Sequence, residues 1–189
     1  MKKIITGIVV SILLSVFAHD TIWAQDKGTT KKQVRIDRKN EKIIAFEHEK
    51  EEVAQLAKDR NLVLEANTLS GKFGYNVAPV GANNYILIDS TDFILQTSSP
   101  AYVGQNGIGG VTLRGTIESY EVTTGGKNSI IVIAQVNTFG LGPATLTVNL
   151  IGKQNGRANF TTATGLVLNM TGPVSSISES KVFQGNRLY

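Results

Sequence analysis

"GGVTLRGTIESYEV", residues 109–122, decides the fold. A glycine loop that cradles a phosphate leads into a helix, whose first amides point at the anion. The residues after these glycines have another period. Val111, Leu113, Gly115 and Ile117 alternate with Thr112, Arg114, Thr116 and Glu118, as in a half-buried strand. Tyr120 and Val122 fall out of step, which predicts a bulge near Ser119. There is no Gly-Lys-Ser/Thr, and no strand–helix–strand unit for a dinucleotide. The glycines before the strand therefore serve the backbone, by tight approach and positive φ.

The same period runs outward on both sides. "NYILIDSTDFILQT" reads as a hairpin that turns at Asp89-Ser90-Thr91-Asp92. Before it come "LVLEAN", a strand from Leu62, and "GKFGYNVAP", a short strand or irregular edge. After the turn "TTGGKN", "SIIVIAQVNTF" is apolar on both faces in its first half and reads as a central strand. "LGP" interrupts. "ATLTVNLI", "ANFTTA" and "GLVLNM" are further strands, and the tail is read with a last one around Lys181 to Phe183. Short strands at this spacing predict an all-β, mainly antiparallel domain. The expected architecture is a sandwich or lipocalin-like barrel of about 8–10 short strands with one N-terminal helix. Closure depends on whether the first and last strands pair.

Upstream the pattern becomes helical. Residues 43–61 carry glutamates early and Lys58 and Arg60 late, an order that suits a helix dipole. Their apolar positions include Phe46, Val53, Leu56 and Ala57, so this helix is expected to pack on the sheet. Residues 25–42 are polar and of mixed charge, and read as a solvated, flexible arm. Residues 1–24 have a basic start, an apolar run "IITGIVVSILLSVFA" and a small residue, Ala24, the order of a cleaved secretory signal. That run is short of the roughly 20 residues needed to span a bilayer. The domain organisation is thus signal 1–24, arm 25–42, helix 43–61 and antiparallel β domain 62–189. The expected location is the periplasm or beyond, with no membrane span after cleavage. The absence of cysteine closes the lipid-anchor route and removes disulfides.

Composition narrows the chemistry. The chain of 189 residues has a formal charge of +4. From Leu62 onward the balance is only +1, so the basic character belongs to the N-terminal arm. Basic residues clustered on one face with interleaved aromatics, the footprint of a nucleic-acid binder, are not evident, and no nucleic-acid partner is expected. Beyond residue 24 the only histidine is His48, among glutamates. A Ser/His/Asp or Cys/His centre would depend on that one residue, and a zinc site is not expected. Asp89 and Asp92 flank a turn, where aspartate bonds its own backbone. No cofactor and no metal are expected, and enzymatic activity is left open without catalytic residues. The candidate contact site is the glycine-rich stretch: Pro100, Tyr102, Gly104, Asn106, Gly107, Gly109 and Gly110.

Several segments together resemble a family of secreted bacterial proteins, common in Bacteroides-like organisms, known as the domain of unknown function 4251 family. "NLVLEA" (61–66) is similar to its strand after a charged helix. "NYILIDSTDF" (84–93), "GGVTLRGTIESYEV" (109–122), "ATLTVNLIGKQNGRANFTT" (144–162) and "VFQG" (182–185) resemble its later strands and closing motif. The family's Leu-Pro-Tyr-Phe-Gly segment is reduced here to "PAYVG", 100–104. The resemblance implies an envelope location and assigns no catalytic residues. The function expected from all this is a non-catalytic binding or structural module of the envelope, with an unknown protein, small-molecule or glycan partner. Two alternatives remain at this point: a carboxylate-dependent glycan hydrolase, and an inhibitor of a secreted enzyme.

Overall fold

The structure, a computed structural model, describes residues 2–71, 76–77, 83–98, 110–126 and 129–182, and side chains from residue 30 onward apart from 76 and 77. Among the described residues one helix, α1 (Lys2–Lys58), precedes eleven strand segments. They are β1 (Asn61–Glu65), β2 (Thr68–Gly71), β3 (Asn76–Val77), β4 (Tyr85–Asp89), β5 (Asp92–Gln96), β6 (Thr112–Thr124), β7 (Ile130–Thr138), β8 (Gly142–Leu150), β9 (Gly156–Thr162), β10 (Val167–Gly172) and β11 (Val174–Ser175). The chain divides into two units, Met1–Phe46 and Glu47–Tyr189.

Every pairing is antiparallel, and from β4 to β10 each strand pairs with the next. The ends of this curled sheet meet. β1 and β2 are one strand bent at Ala66–Asn67, and β10 and β11 are one strand bent at Pro173. β1 pairs with β11, and β2 pairs with β10. Across the bends the amides of Glu65 and Asn67 donate to the carbonyls of Pro173 (3.0 Å) and Thr171 (2.8 Å). β3 and β4 flank the other side of the bent first strand. The ladder therefore closes into a ring of eight antiparallel strands, two of them bent, with β3 added beside β2. The lipocalin-like barrel, rather than an open sandwich, is the outcome of this ladder.

Inward positions follow the period of two. Leu62 and Leu64, Ile86 and Ile88, Phe93 and Leu95, Leu113 and Ile117, and Val132, Ala134 and Val136 all enter one apolar cluster. So do Ala144, Leu146, Val148 and Leu150 from β8 and Ala158 and Phe160 from β9. Phe93 and Phe160 stack inside with centroids 5.6 Å apart and planes at 10°. The bulge predicted near Ser119 is present: the β6–β7 register shifts between Ile117 and Ser119. The hairpin turns at the residues read for it, with Asp89 opposite Asp92.

Three details differ from the sequence reading. The outer face of β7 is not covered along its length, since Ile133 is exposed. "LGP" does not break the sheet, because Gly142 and Pro143 begin β8 and face Thr138 and Asn137. The closing strand is Val174–Ser175, whereas Lys181 and Val182 carry no strand and Phe183 lies outside the described residues. Instead Ile177 and Val182 fold over the outer face of β1 and β4 and cover Val63, Tyr85 and Leu87.

Helix α1 is longer than the 43–61 segment read from sequence. The polar stretch 30–42 is helical, with every described side chain exposed. Its Lys, Arg, Gln and Glu content has good helix propensity, and Gln33 bonds Asp37 one turn on at 3.0 Å. Within the second unit, Val53 and Ala57 are fully buried in the barrel cluster. Ile43, Ile44 and Phe46 are exposed.

Candidate functional site

The glycine-rich stretch is the long connection between β5 and β6. Pro100, Tyr102, Gly104, Asn106, Gly107 and Gly109 lie outside the described residues. Gly110 and the foot of the loop are described. There the Thr97 amide donates to the Val111 carbonyl at 2.9 Å, and the Val111 amide donates to Thr97 Oγ1 at 3.2 Å. A Cβ on Gly110 would overlap the Thr97 carbonyl, so this glycine is needed for close backbone approach. Its part in the candidate site is thus to bring the two ends of the loop together.

A buried polar group holds the same foot. Asn84, just before β4, and Ser98, just after β5, are 1% and 8% exposed. The Ser98 amide donates to Asn84 Oδ1 (2.7 Å) and Asn84 Nδ2 donates to Ser98 Oγ (2.9 Å). The neighbouring Gln96, also buried, donates to the Asn83 carbonyl at 3.2 Å. Its Oε1 accepts longer contacts, 3.4 Å each, from Tyr85 Oη and Thr112 Oγ1. Burial pushes the Tyr85 phenol above its ordinary range, and the Arg114 guanidinium opposes that rise. Buried amides left unpaired are costly, so a satisfied network of this kind fixes one geometry. Sequence pattern gives no sign of this network. Asn84, Gln96 and Ser98 read as strand and turn residues, and only register brings them together.

The other candidates are dispersed. Asp89 and Asp92 are exposed at their turn, Glu118 and Glu121 are exposed on β6, and Glu65 accepts from Ser180 Oγ at 2.9 Å. Among the described residues no group of three His, Cys, Asp or Glu could hold a metal. His48 is exposed, with Nδ1 3.6 Å from Glu52. Glu52 also meets Lys153 of the β8–β9 turn at 2.8 Å, and that lysine holds the Glu52 carboxyl below its usual range. The aromatic residues form no shared face among the described residues: Tyr85 is buried, Phe139 is exposed on the β7–β8 turn, and Tyr75, Tyr102 and Tyr189 lie outside the described residues. Tyr120 is committed to the helix: its hydroxyl donates to the Ala57 carbonyl at 2.7 Å, beneath the Arg60 guanidinium. Among the described residues no helix is long and apolar enough to cross a membrane.

No protein-family model matches the chain, and no curated protein matches it. A solved crystal structure does. It is a DUF4251 family protein from Bacteroides eggerthii, with a TM-score of 0.54 and 25% sequence identity. The likeness covers 70% of this chain and 91% of that one. The family resemblance carried by the strand motifs and the likeness in fold thus point the same way: this chain is similar to the DUF4251 family.

Proposed function

We propose that the protein is an exported, non-catalytic binding module of the cell envelope, with the β5–β6 loop as its contact site. The observation that carries this reading is the foot of the loop. Asn84, Gln96 and Ser98 form a buried, hydrogen-bonded base where the glycine-rich connection begins, and Gly110 at its other end closes against Thr97. Loops held out from a rigid scaffold are where binding residues concentrate. Among the described residues, stacked Phe93 and Phe160 and the inward aliphatic side chains occupy the middle of the barrel interior, which turns the reading toward the loop. Export rests on the charge and apolar order of residues 1–24. The hydrolase alternative needs two carboxyl groups about 5–10 Å apart across a cleft. Asp89 and Asp92 stand instead at an exposed turn, and Glu118 and Glu121 on an exposed strand face, which favours binding over hydrolysis.

The test is native mass spectrometry of the protein taken gently from its own cell envelope, beside the variants Tyr102→Ala and Asn106→Ala. Gly110 is left intact because its substitution would disturb the scaffold. An intact mass that begins at Gln25 supports export, and one that retains residues 1–24 overturns the cleavage reading. An added mass that both variants lose supports the loop as the contact site. An added mass that both retain moves the site elsewhere, and a bare chain overturns a tightly held ligand.

A further inference from the structure

The N-terminal part of α1 separates its charges by face. Residues 30–46 are helical and their side chains are exposed. At about 100° per residue, Lys31, Lys32, Arg35, Arg38, Lys39 and Lys42 all fall within one arc of about 160°. Ile36, Ile43 and Phe46 share that arc, and no acidic residue between 30 and 46 does. Asp37 and Glu41 lie on the opposite side with Gln33, Asn40 and Ile44. The six cations against two anions give this segment +4, the whole of the chain's formal charge. Ile36 and Ile43 are 42% and 51% exposed, so the cationic face also presents apolar side chains.

Three occupants fit such a face to different degrees. A second copy of the same helix would set six cations against six cations, and like charges at that range oppose association. A nucleic acid would satisfy the charge and leave the isoleucines without an apolar medium. An anionic bilayer satisfies both. Lys and Arg reach the phosphates along their apolar stems, while Ile36 and Ile43 enter the boundary between headgroups and chains.

We propose that residues 31–46 form a membrane-surface helix that binds anionic phospholipid through Lys31, Lys32, Arg35, Arg38, Lys39 and Lys42, with Ile36 and Ile43 inserted beneath. This is adsorption to a surface, distinct from spanning it, and is separate from the β5–β6 loop site. It also provides an envelope contact in a chain that has no cysteine to carry a lipid.

The experiment is vesicle flotation with the chain from Gln25 to Tyr189, which excludes the apolar run of residues 4–18 and keeps the unit 47–189 whole. Vesicles of phosphatidylcholine with about 30 mol% phosphatidylglycerol are compared with pure phosphatidylcholine, at low and high salt. Binding is expected to the anionic vesicles alone, and to weaken as salt rises. Arg35→Gln/Arg38→Gln/Lys42→Gln should lower partitioning on the order of a hundredfold, about fivefold for each charge. Asp37→Asn/Glu41→Gln on the opposite face should bind at least as well as the parent. Ile36→Ser/Ile43→Ser should weaken binding with the charge unchanged. An unchanged far-UV spectrum and thermal transition separate these effects from misfolding. Equal binding to neutral vesicles, or binding that the triple charge variant retains, overturns the proposal. So does a chain that binds no vesicles, whether it stays monomeric or self-associates with concentration in sedimentation.

Discussion

Tyr120 shows how much one side chain can join. The phenol bridges from β6 to the last turn of α1, where the Ala57 carbonyl also accepts a longer bond, 3.3 Å, from the Arg60 amide. The Arg60 guanidinium stands 4.7 Å from the ring centre, and Arg60 itself holds φ at 51° as the chain turns into β1. Tyr120→Phe keeps the ring and removes the hydroxyl that this carbonyl accepts from, so it should cost about 1–2 kcal/mol in urea unfolding. It should also alter the alkaline limb of stability. Burial raises the phenol from 10.0 to about 12, and the Arg60 charge opposes that only in part. A folded pKa above the unfolded one stabilises fully below pH 10.0 and loses the contribution as pH climbs toward about 12. The difference between parent and Tyr120→Phe should therefore shrink across that interval. A constant difference from pH 9 to about 12 would show that the phenol is not held neutral by folding. In the sequence Tyr120 is legible as a residue out of step with its strand. Its partner lies 63 residues away, and no local pattern carries that contact.

Elements are legible in proportion to their period. β4, β5 and β6 alternate, and the turn between Asp89 and Asp92 and the bulge at Ser119 are readable from the alternation alone. β11 has two residues, too few for any period, and the more apolar tail at Lys181 to Phe183 reads as a strand in its place. The packing of elements across the interior is not legible either. β5 and β9 are not neighbours in the ladder, yet Phe93 and Phe160 stack between them. Phe160→Ala removes one ring from a site with no exposure, and should destabilise by about 3–5 kcal/mol. Val53 makes a similar test for the helix, since it is fully buried and belongs to the same cluster. Val53→Ala should cost about 1–2 kcal/mol through the lost methyl groups. Both are checked by chemical unfolding, with the m-value as control. A Val53→Ala variant as stable as the parent would mean that the helix end is not part of the cooperative core.

Closure belongs to the whole molecule, and it rests on a place where sequence reading finds only a Gly-Pro. The bent first strand and the bent last strand meet at Glu65–Asn67 and Thr171–Pro173. A Cβ on Gly172 would overlap the Glu65 carbonyl, so the seam admits no side chain at that position. A closed ring leaves no long unpaired edge, and an edge opened here would expose the backbone groups of both strands. The seam also brings the β1 end next to Asn84, because the Ala66 amide donates to the Asn84 carbonyl at 2.8 Å. The foot of the candidate loop is thus tied to the point where the barrel shuts. Gly172→Ala should part the seam locally and cost more than about 2 kcal/mol, since the overlap is with backbone and cannot be relieved by a rotamer. Hydrogen exchange reads where the strain goes. The amides of Glu65 and Asn67 should lose protection, Ala66 should do the same, and the amides in the middle of β7 and β8 should change only with global stability. If Glu65 and Asn67 keep their protection relative to β7, the seam is not what Gly172 holds. If β7 loses protection equally, the ring opens as one unit and has no weak point of its own.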